Sequence, residues 1–268
     1  MPPLSVLTSF YNGRLQLAQT KIDAVQAQLS AGKKPLSAAD AQTVATLSER
    51  AVKLSKVNTN ITKAKSTIDV ATTALTAIAK LLQQMQSLAN QANTPGMSST
   101  DYMTLNIKFQ KMLVDLGGHA VKASVNGTNL LSGTAILTVV TGTDSSAKSK
   151  TSVMPVNVMG LMRIGALSGA SLDSKDKSAA AADAVRSAML FVNSGKAQLA
   201  SSAANLLKIQ NKADATIGQN QATINAMQSI DIPGLQKQLA ALKAQQSLDY
   251  SVINQLNANA SANLPTLI

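Results

Sequence analysis

The chain has 268 residues, of which 45% are hydrophobic but only 2% are aromatic, and it contains no Cys and a single His. This excludes disulfides, cysteine-ligated metals and any metal centre that needs two histidines from one chain. Small apolar side chains with few aromatics suit closely packed helices better than a thick globular interior. We therefore expect a mainly α fold without a cofactor.

The net charge of +11 raises the question of nucleic-acid binding. The basic residues are spread evenly along the chain, without a basic cluster or interleaved aromatics, so we expect no nucleic-acid partner. The longest uncharged stretch with an apolar centre, residues 123–143, is broken by Asn, Gly and Thr, so we expect no membrane insertion. Residues 1–20 lack a charged segment followed by an apolar one, so we do not expect Sec export.

The first predicted element is an amphipathic helix near the N-terminus. Its apolar residues recur at helical spacing and stop before Gly32 and Pro35, where a helix is expected to end. This seam consists of Leu15, Ala18, Ile22, Val25 and Leu29.

The clearest periodicity follows in a long helix, predicted from Ser37 to about Asn93. Ser37 and Asp40 resemble an N-terminal capping pattern. Further along, an a/d heptad seam is apolar at every position. Its two series are Ile61, Ile68, Leu75, Leu82 and Ala89, and Ala64, Ala71, Ile78, Met85 and Ala92.

A second helix is predicted from residues 98–100, which can cap it, to about Lys122. Residues 125–128 then carry an Asn-Gly turn signal. Two segments that follow, 135–140 and 152–158, are rich in β-branched residues and are separated by a turn-like stretch. These features predict a β-hairpin.

Helical periodicity returns from Ser178 to Asp231. One heptad series there contains Asn220 as a polar exception among Val185, Val192, Leu199, Leu206, Ala213 and Met227. After a break at residues 230–234, which contain Pro233 and Gly234, a last helix carries Leu235, Leu239, Leu242, Ile253, Leu256 and Ala260.

Each end of the chain thus carries one helix set off by a Pro/Gly break from a longer one, so we expect the N- and C-terminal helices to pair. The fold class is an elongated coiled-coil rod with a small β-hairpin insert. The predicted domains are a terminal coiled coil of residues 1–34 and 233–268, a rod of 35–132 and 176–232, and an insert of 133–175. The rod core is assigned to Ile61, Ile68, Leu75, Ile78, Leu82, Met85, Leu199 and Leu206.

No group of side chains indicates catalysis. Asp173 and Asp176 lie in Ser/Lys-rich sequence before a helix, which is typical of a solvated loop and a helix cap. His119 follows two glycines near a helix end with no second ligand type nearby. We expect the protein not to be an enzyme.

Several segments, in this order along the chain, resemble bacterial flagellins. Residues 29–40 are similar to a Leu-Ser-x-Gly followed by a Ser-Ala-x-Asp, and residues 68–92 to the flagellin long helix. Residues 126–131 are similar to an Asn-Gly-x-x-Leu-Leu turn. Residues 229–233, 244–247 and 255–267 resemble the flagellin C-terminus.

The resemblance implies an extracellular, self-assembling subunit of the flagellar filament that has only a hairpin-sized insert in place of outer domains. It also implies export without a cleaved signal peptide, with an export chaperone, cap and hook-associated proteins as partners. We assign self-assembly to the terminal seams, because one isolated pair of helices cannot bury their apolar rows. These residues are Leu15, Ile22, Val25, Leu29, Leu235, Leu239, Leu242, Ile253 and Leu256.

Two other functions stay open on the sequence. A hook–filament junction protein of the flagellum would share the terminal seams. A helical pore-forming protein would need an amphipathic hairpin of membrane length, for which residues 130–164 are the candidate.

One departure from the family concerns immune recognition. Flagellins commonly carry an Arg-rich, Glu-containing segment in the long helix that innate immune receptors recognise. The matching positions here, Gln84, Gln86 and Ser87, are uncharged. The resemblance therefore predicts weak receptor recognition.

Overall fold

The computed structural model describes residues 4–144 and 146–263, and this part of the chain is mainly helical, as predicted. Two long helices and two terminal ones account for most of it. The helices are α1 (Leu4–Ala31), α2 (Ala38–Ala92), α3 (Ser99–Lys122), α4 (Val158–Arg163), α5 (Lys175–Gln228) and α6 (Ile232–Asn263). The strands are β1 (Ser124–Val125), β2 (Thr128–Asn129), β3 (Leu137–Val140) and β4 (Lys150–Val153).

Side-chain caps explain where α2 and α3 begin. The Ser37 hydroxyl accepts a hydrogen bond from the Asp40 backbone N–H at 3.1 Å and donates to the Asp40 carboxylate at 2.8 Å. Ser98 and Asp101 form a reciprocal capping box, which satisfies two backbone donors. The Ser98 hydroxyl and backbone N–H also lower the pKa of the Asp101 carboxyl. Both predicted helix starts are confirmed.

The described chain divides into two compact units, one within Met1–Ser48 and Gln219–Ile268 and the other within Glu49–Gly218. The helices α2 and α5 contribute residues to both. The three-part division into residues 1–34 with 233–268, 35–132 with 176–232, and 133–175 stays a prediction.

The core of the Glu49–Gly218 unit contains the heptad seam of α2. The seam residues of this unit are buried, together with Phe109 and Leu116 of α3 and Leu130 and Leu131 after β2. Burying each Ile, Leu, Met or Phe side chain among them stabilises the fold by about 1.5–3 kcal/mol. The residues assigned to the rod core are at most 1% exposed: Ile61, Ile68, Leu75, Ile78, Leu82, Met85, Leu199 and Leu206.

The first hairpin is very short. β1 pairs antiparallel with β2 around Asn126 and Gly127, whose φ angles are 48° and 78°. Two consecutive positive φ angles define a type I′ turn, which Asn-Gly suits because Gly has no Cβ and Asn tolerates the left-handed region. The predicted turn is confirmed.

The second hairpin confirms that a β-hairpin is present but corrects its second strand. β3 pairs antiparallel with β4, from Leu137 opposite Val153 to Val140 opposite Lys150. The strand expected over residues 152–158 ends early, because Pro155 has no N–H to donate to a ladder. The following residues form α4 instead, whose start is capped by Asn157 Oδ1, which accepts from the Gly160 N–H at 3.0 Å.

Helix α5 begins and ends slightly earlier than predicted. Ser174 precedes its first turn and its hydroxyl accepts from the Lys177 N–H at 3.3 Å, so the helix starts before Ser178. Its polar heptad position, Asn220, is buried and donates from Nδ2 to the Leu47 carbonyl at 3.4 Å. That bond explains how an amide fits an otherwise apolar series.

Two glycines of α5 are expected to respond in opposite directions to replacement by Ala. A Cβ on the buried Gly195 would lie well inside van der Waals distance of both Val156 methyl groups, whereas a Cβ on the exposed Gly218 meets no neighbour. We expect Gly195→Ala to lower the free energy of unfolding by about 2 kcal/mol through overpacking. Gly218→Ala should raise it by about 1 kcal/mol, through helix propensity alone. Urea unfolding of both variants measures this, and changes of the same sign would contradict the close approach of α5 to Val156.

Candidate assembly surface

The terminal helices α1 and α6 pack against each other, as predicted. Two cross-helix contacts, Arg14 with Asp249 and Gln19 with Gln246, show that they run antiparallel. On α1, the seam residues Leu15, Ala18, Ile22 and Val25 are buried and Leu29 is half-buried. The N-terminal seam is therefore largely covered within a single chain.

The α6 side of the pair is covered less well. Its seam residues are all half-buried: Leu235, Leu239, Leu242, Ile253 and Leu256. Further large apolar side chains of both helices are more than half exposed, namely Val6, Phe10, Leu17, Leu248 and Tyr250. Two helices alone can cover only one stripe of each other, so these apolar rows stay in water in an isolated chain.

The centre of the α6 seam is polar, which the sequence reasoning missed. Gln246 and Asp249 lie between the apolar pairs Leu239 and Leu242 on one side and Ile253 and Leu256 on the other. Gln246 Nε2 donates to Gln19 Oε1 of α1 at 2.8 Å. Heptad spacing could have placed Asp249 in the seam, because it lies seven residues after Leu242 and seven before Leu256.

Asp249 forms an ion pair with Arg14 across the two helices. The distance from Arg14 Nη2 to Asp249 Oδ1 is 3.2 Å, and the Asp249 side chain is 5% exposed against 37% for Arg14. The guanidinium also lies over the rings of Phe10 and Tyr11, at 5.9 and 5.5 Å from their centroids. Asp249 Oδ2 is buried and has no hydrogen-bond partner among the described residues.

The chain breaks that precede α2 and α6 lie side by side. The Lys34 backbone N–H donates to the Gln228 carbonyl at 3.0 Å, which ties the loop after α1 to the end of α5. Asp231 then caps α6 by accepting from the Gly234 N–H at 3.1 Å. The interruption predicted over residues 230–234 spans residues 229–231 instead, and Pro233 and Gly234 lie in the first turn of α6, where a missing proline N–H costs no helical hydrogen bond.

The remaining candidate residues lie in the Glu49–Gly218 unit. Gln84 and Ser87 are exposed on α2, while Gln86 is half-buried and donates to Asn90 Oδ1 at 3.2 Å. Asp173 accepts from Asn106 of α3 and from Lys177, and bonds from the Ser171 hydroxyl and Lys177 lower its pKa. Asp176 lies in the first turn of α5 and His119 in the last turn of α3.

No helix in the described residues is long and apolar enough to cross a membrane.

Comparison with known proteins finds similarity to bacterial flagellins. The model of the bacterial flagellin N-terminal helical region matches residues 7–135. Flagellin FljO of Caulobacter vibrioides is 26% identical over 266 residues, which cover 93% of this chain and 92% of that protein. The crystal structure of Bacillus cereus flagellin shares the fold with a TM-score of 0.51 at 21% identity, over 58% of this chain and 88% of that one. With helices and seams in the order that the resemblance implied, these matches support a bacterial flagellin.

Proposed function

We infer that this flagellin is a structural subunit of the bacterial flagellar filament and that it polymerises outside the cell through its paired terminal helices. The observation that supports the mechanism is the half-covered seam of α6, beside exposed apolar side chains on both helices. A contact that repeats from copy to copy without closing generates an open helical filament. The filament is therefore the assembly in which these apolar rows find partners.

In this mechanism, folding of the terminal helices is coupled to assembly. Most of the stability of a helix in a protein comes from packing of its amphipathic face, and the α6 seam is only half covered in the single chain. A second copy that covers the α6 seam supplies that packing. The residues assigned to self-assembly therefore act together, with the α1 set supporting α6 and the α6 set facing the neighbouring copy.

Electron microscopy of the purified protein after salting out tests the proposal. We expect helical filaments that sediment, and monomer or amorphous precipitate alone would contradict the function. A matched pair of variants tests the surface: Leu256→Asp places a charge in the half-buried seam, whereas Gln255→Asp changes an exposed neighbour on the same turn. The first should reduce the sedimenting fraction strongly and the second should leave it unchanged.

Export through the flagellar apparatus, with a chaperone, cap and hook-associated proteins as partners, is part of the same proposal. The junction-protein alternative has no support from the comparisons, because the family model and both named relatives are flagellins. The abundance of the chain in sheared filaments distinguishes the two: a filament subunit is the major component, and a junction protein is present in few copies.

Immune recognition gives a prediction on the Glu49–Gly218 unit. If Gln84, Gln86 and Ser87 stand where receptor-recognised flagellins carry Arg, Arg and Glu, the chain lacks the charge-assisted contacts that orient a receptor. Each such bond is worth about 1.5–3 kcal/mol, so binding should be weaker by several powers of ten. The monomer is expected to signal weakly in a receptor reporter assay, and Gln84→Arg, Gln86→Arg and Ser87→Glu together should raise the signal.

A charge-matched control uses exposed positions elsewhere on α2: Thr59→Arg, Thr62→Arg and Ser66→Glu. It should leave the signal at the level of the unmodified monomer. A strong response to the unmodified monomer would contradict the correspondence of these positions.

A further inference from the structure

The ion pair between Arg14 and Asp249 occupies a place where the heptad pattern calls for an apolar residue. Leu235, Leu242 and Leu256 hold the same heptad position on α6, and Asp249 is only 4% exposed. A buried ion pair is often no more stabilising than apolar residues of similar volume, because both charges lose their hydration. This part of the seam therefore contributes less to pairing of α1 with α6 than a Leu would.

Two further features increase the energetic penalty at this position. Asp249 Oδ2 is buried without a hydrogen-bond partner among the described residues, so part of the hydration that the carboxylate loses is not replaced. The loss of hydration is also unequal between the two partners. Arg14 is partly exposed and its guanidinium lies over the rings of Phe10 and Tyr11, whereas the Asp249 side chain is enclosed. The acidic partner is thus the one whose burial opposes helix pairing.

We propose that Asp249 holds the pairing of α1 with α6 close to its stability limit in the unassembled chain, so that the terminal helices become firmly paired only within a polymer. This proposal rests on the proposed function and adds to it the residue that sets the threshold for polymerisation. Gln246, the other polar residue at the centre of the seam, is half-buried and has its bond to Gln19, so its burial is compensated. Asp249 is the residue of the α6 seam whose replacement by an apolar side chain changes that threshold.

Amide hydrogen exchange of the dilute full-length monomer tests the first half of the proposal, with three variants. Asp249→Leu removes the enclosed carboxylate and leaves Arg14 free to reach water, so protection of α6 amides should rise at least about ten-fold. Arg14→Met leaves the carboxylate buried and unpaired, so protection should fall. The double variant Arg14→Met with Asp249→Leu should again exceed the parent chain. Lower protection in Asp249→Leu than in the parent would show that the pair stabilises the helices and would overturn the proposal.

Sedimentation of the same proteins tests the second half. The Asp249→Leu chain should polymerise at a lower protein concentration than the parent chain, and with a shorter lag. An unchanged or higher threshold in a chain with raised protection would overturn the proposal. The control is the exposed ion pair of α5 between Arg186 and Asp183. Replacing it with Arg186→Met and Asp183→Leu should change neither the protection of α6 amides nor the polymerisation threshold. Hydrogen exchange is measured on the monomer and does not require polymerisation. Failure of the parent chain to polymerise would therefore refute the proposed filament function without deciding the effect of Asp249 on helix pairing.

Discussion

Replacement of Leu82 by Asp is expected to lower the free energy of unfolding of the Glu49–Gly218 unit by about 4 kcal/mol or more. Leu82 is fully buried in the α2 seam, among apolar neighbours. A carboxylate introduced there has no cation to pair with, and an uncompensated buried charge is among the largest single-residue effects known in stability measurements. Chemical denaturation followed by circular dichroism measures the change, which corresponds to a loss of about 10 °C in melting temperature.

The matched control is Lys80→Asp, because Lys80 lies two residues earlier on the same helix and is exposed. Its effect should lie within about 0.5 kcal/mol. If the two variants unfold at the same denaturant concentration, the assignment of the heptad seam to the core is wrong.

Deletion of residues 235–268 is expected to abolish polymerisation while the Glu49–Gly218 unit stays folded. The deletion removes α6 beyond its first turn. It also removes residues 264–268, which lie outside the described part of the chain. The core of the Glu49–Gly218 unit is formed by other helices, so its helical signal and cooperative unfolding should persist. Without α6, the α1 seam has no intramolecular partner and the surface for the next copy is missing.

Sedimentation and electron microscopy under salting-out conditions measure this loss, with the full chain as the reference. Filaments of normal form from the truncated chain would refute assembly through the terminal pair. Loss of the folded signal together with polymerisation would instead show that α6 supports the rest of the molecule.

The helices could be predicted because local chemistry specifies them. Ten heptad positions from Ile61 to Ala92 are all apolar, and only a helix with one buried face places them together. Ser37 and Ser98 mark two helix starts through bonds that span three residues, so their effect can be read from a short segment.

One of the features that were missed has a local cause, and the other depends on a partner far away in the chain. The second strand was predicted too long because β-branched composition does not reveal that Asn157 caps a helix. Pro155 was a local signal against the longer strand, since proline cannot donate to a strand ladder. Asp249 and Arg14 lie near opposite ends of the sequence, and neither residue shows by itself that the other faces it. Heptad spacing would have placed Asp249 in the seam, but only the packed helices show that an arginine reaches it.

The bond between Gln19 and Gln246 joins residues 227 positions apart, so the terminal pair closes almost the whole chain into one loop. The entropic cost of closing a flexible loop rises by about 0.6 kcal/mol for each doubling of its length, so this pairing costs more chain entropy than a pairing of neighbouring helices. During synthesis α1 emerges first and has no counterpart until α6 exists. A chain whose translation stops early has α1 without α6, so we expect incorporation into the filament to be restricted to chains that were completed through the final helix.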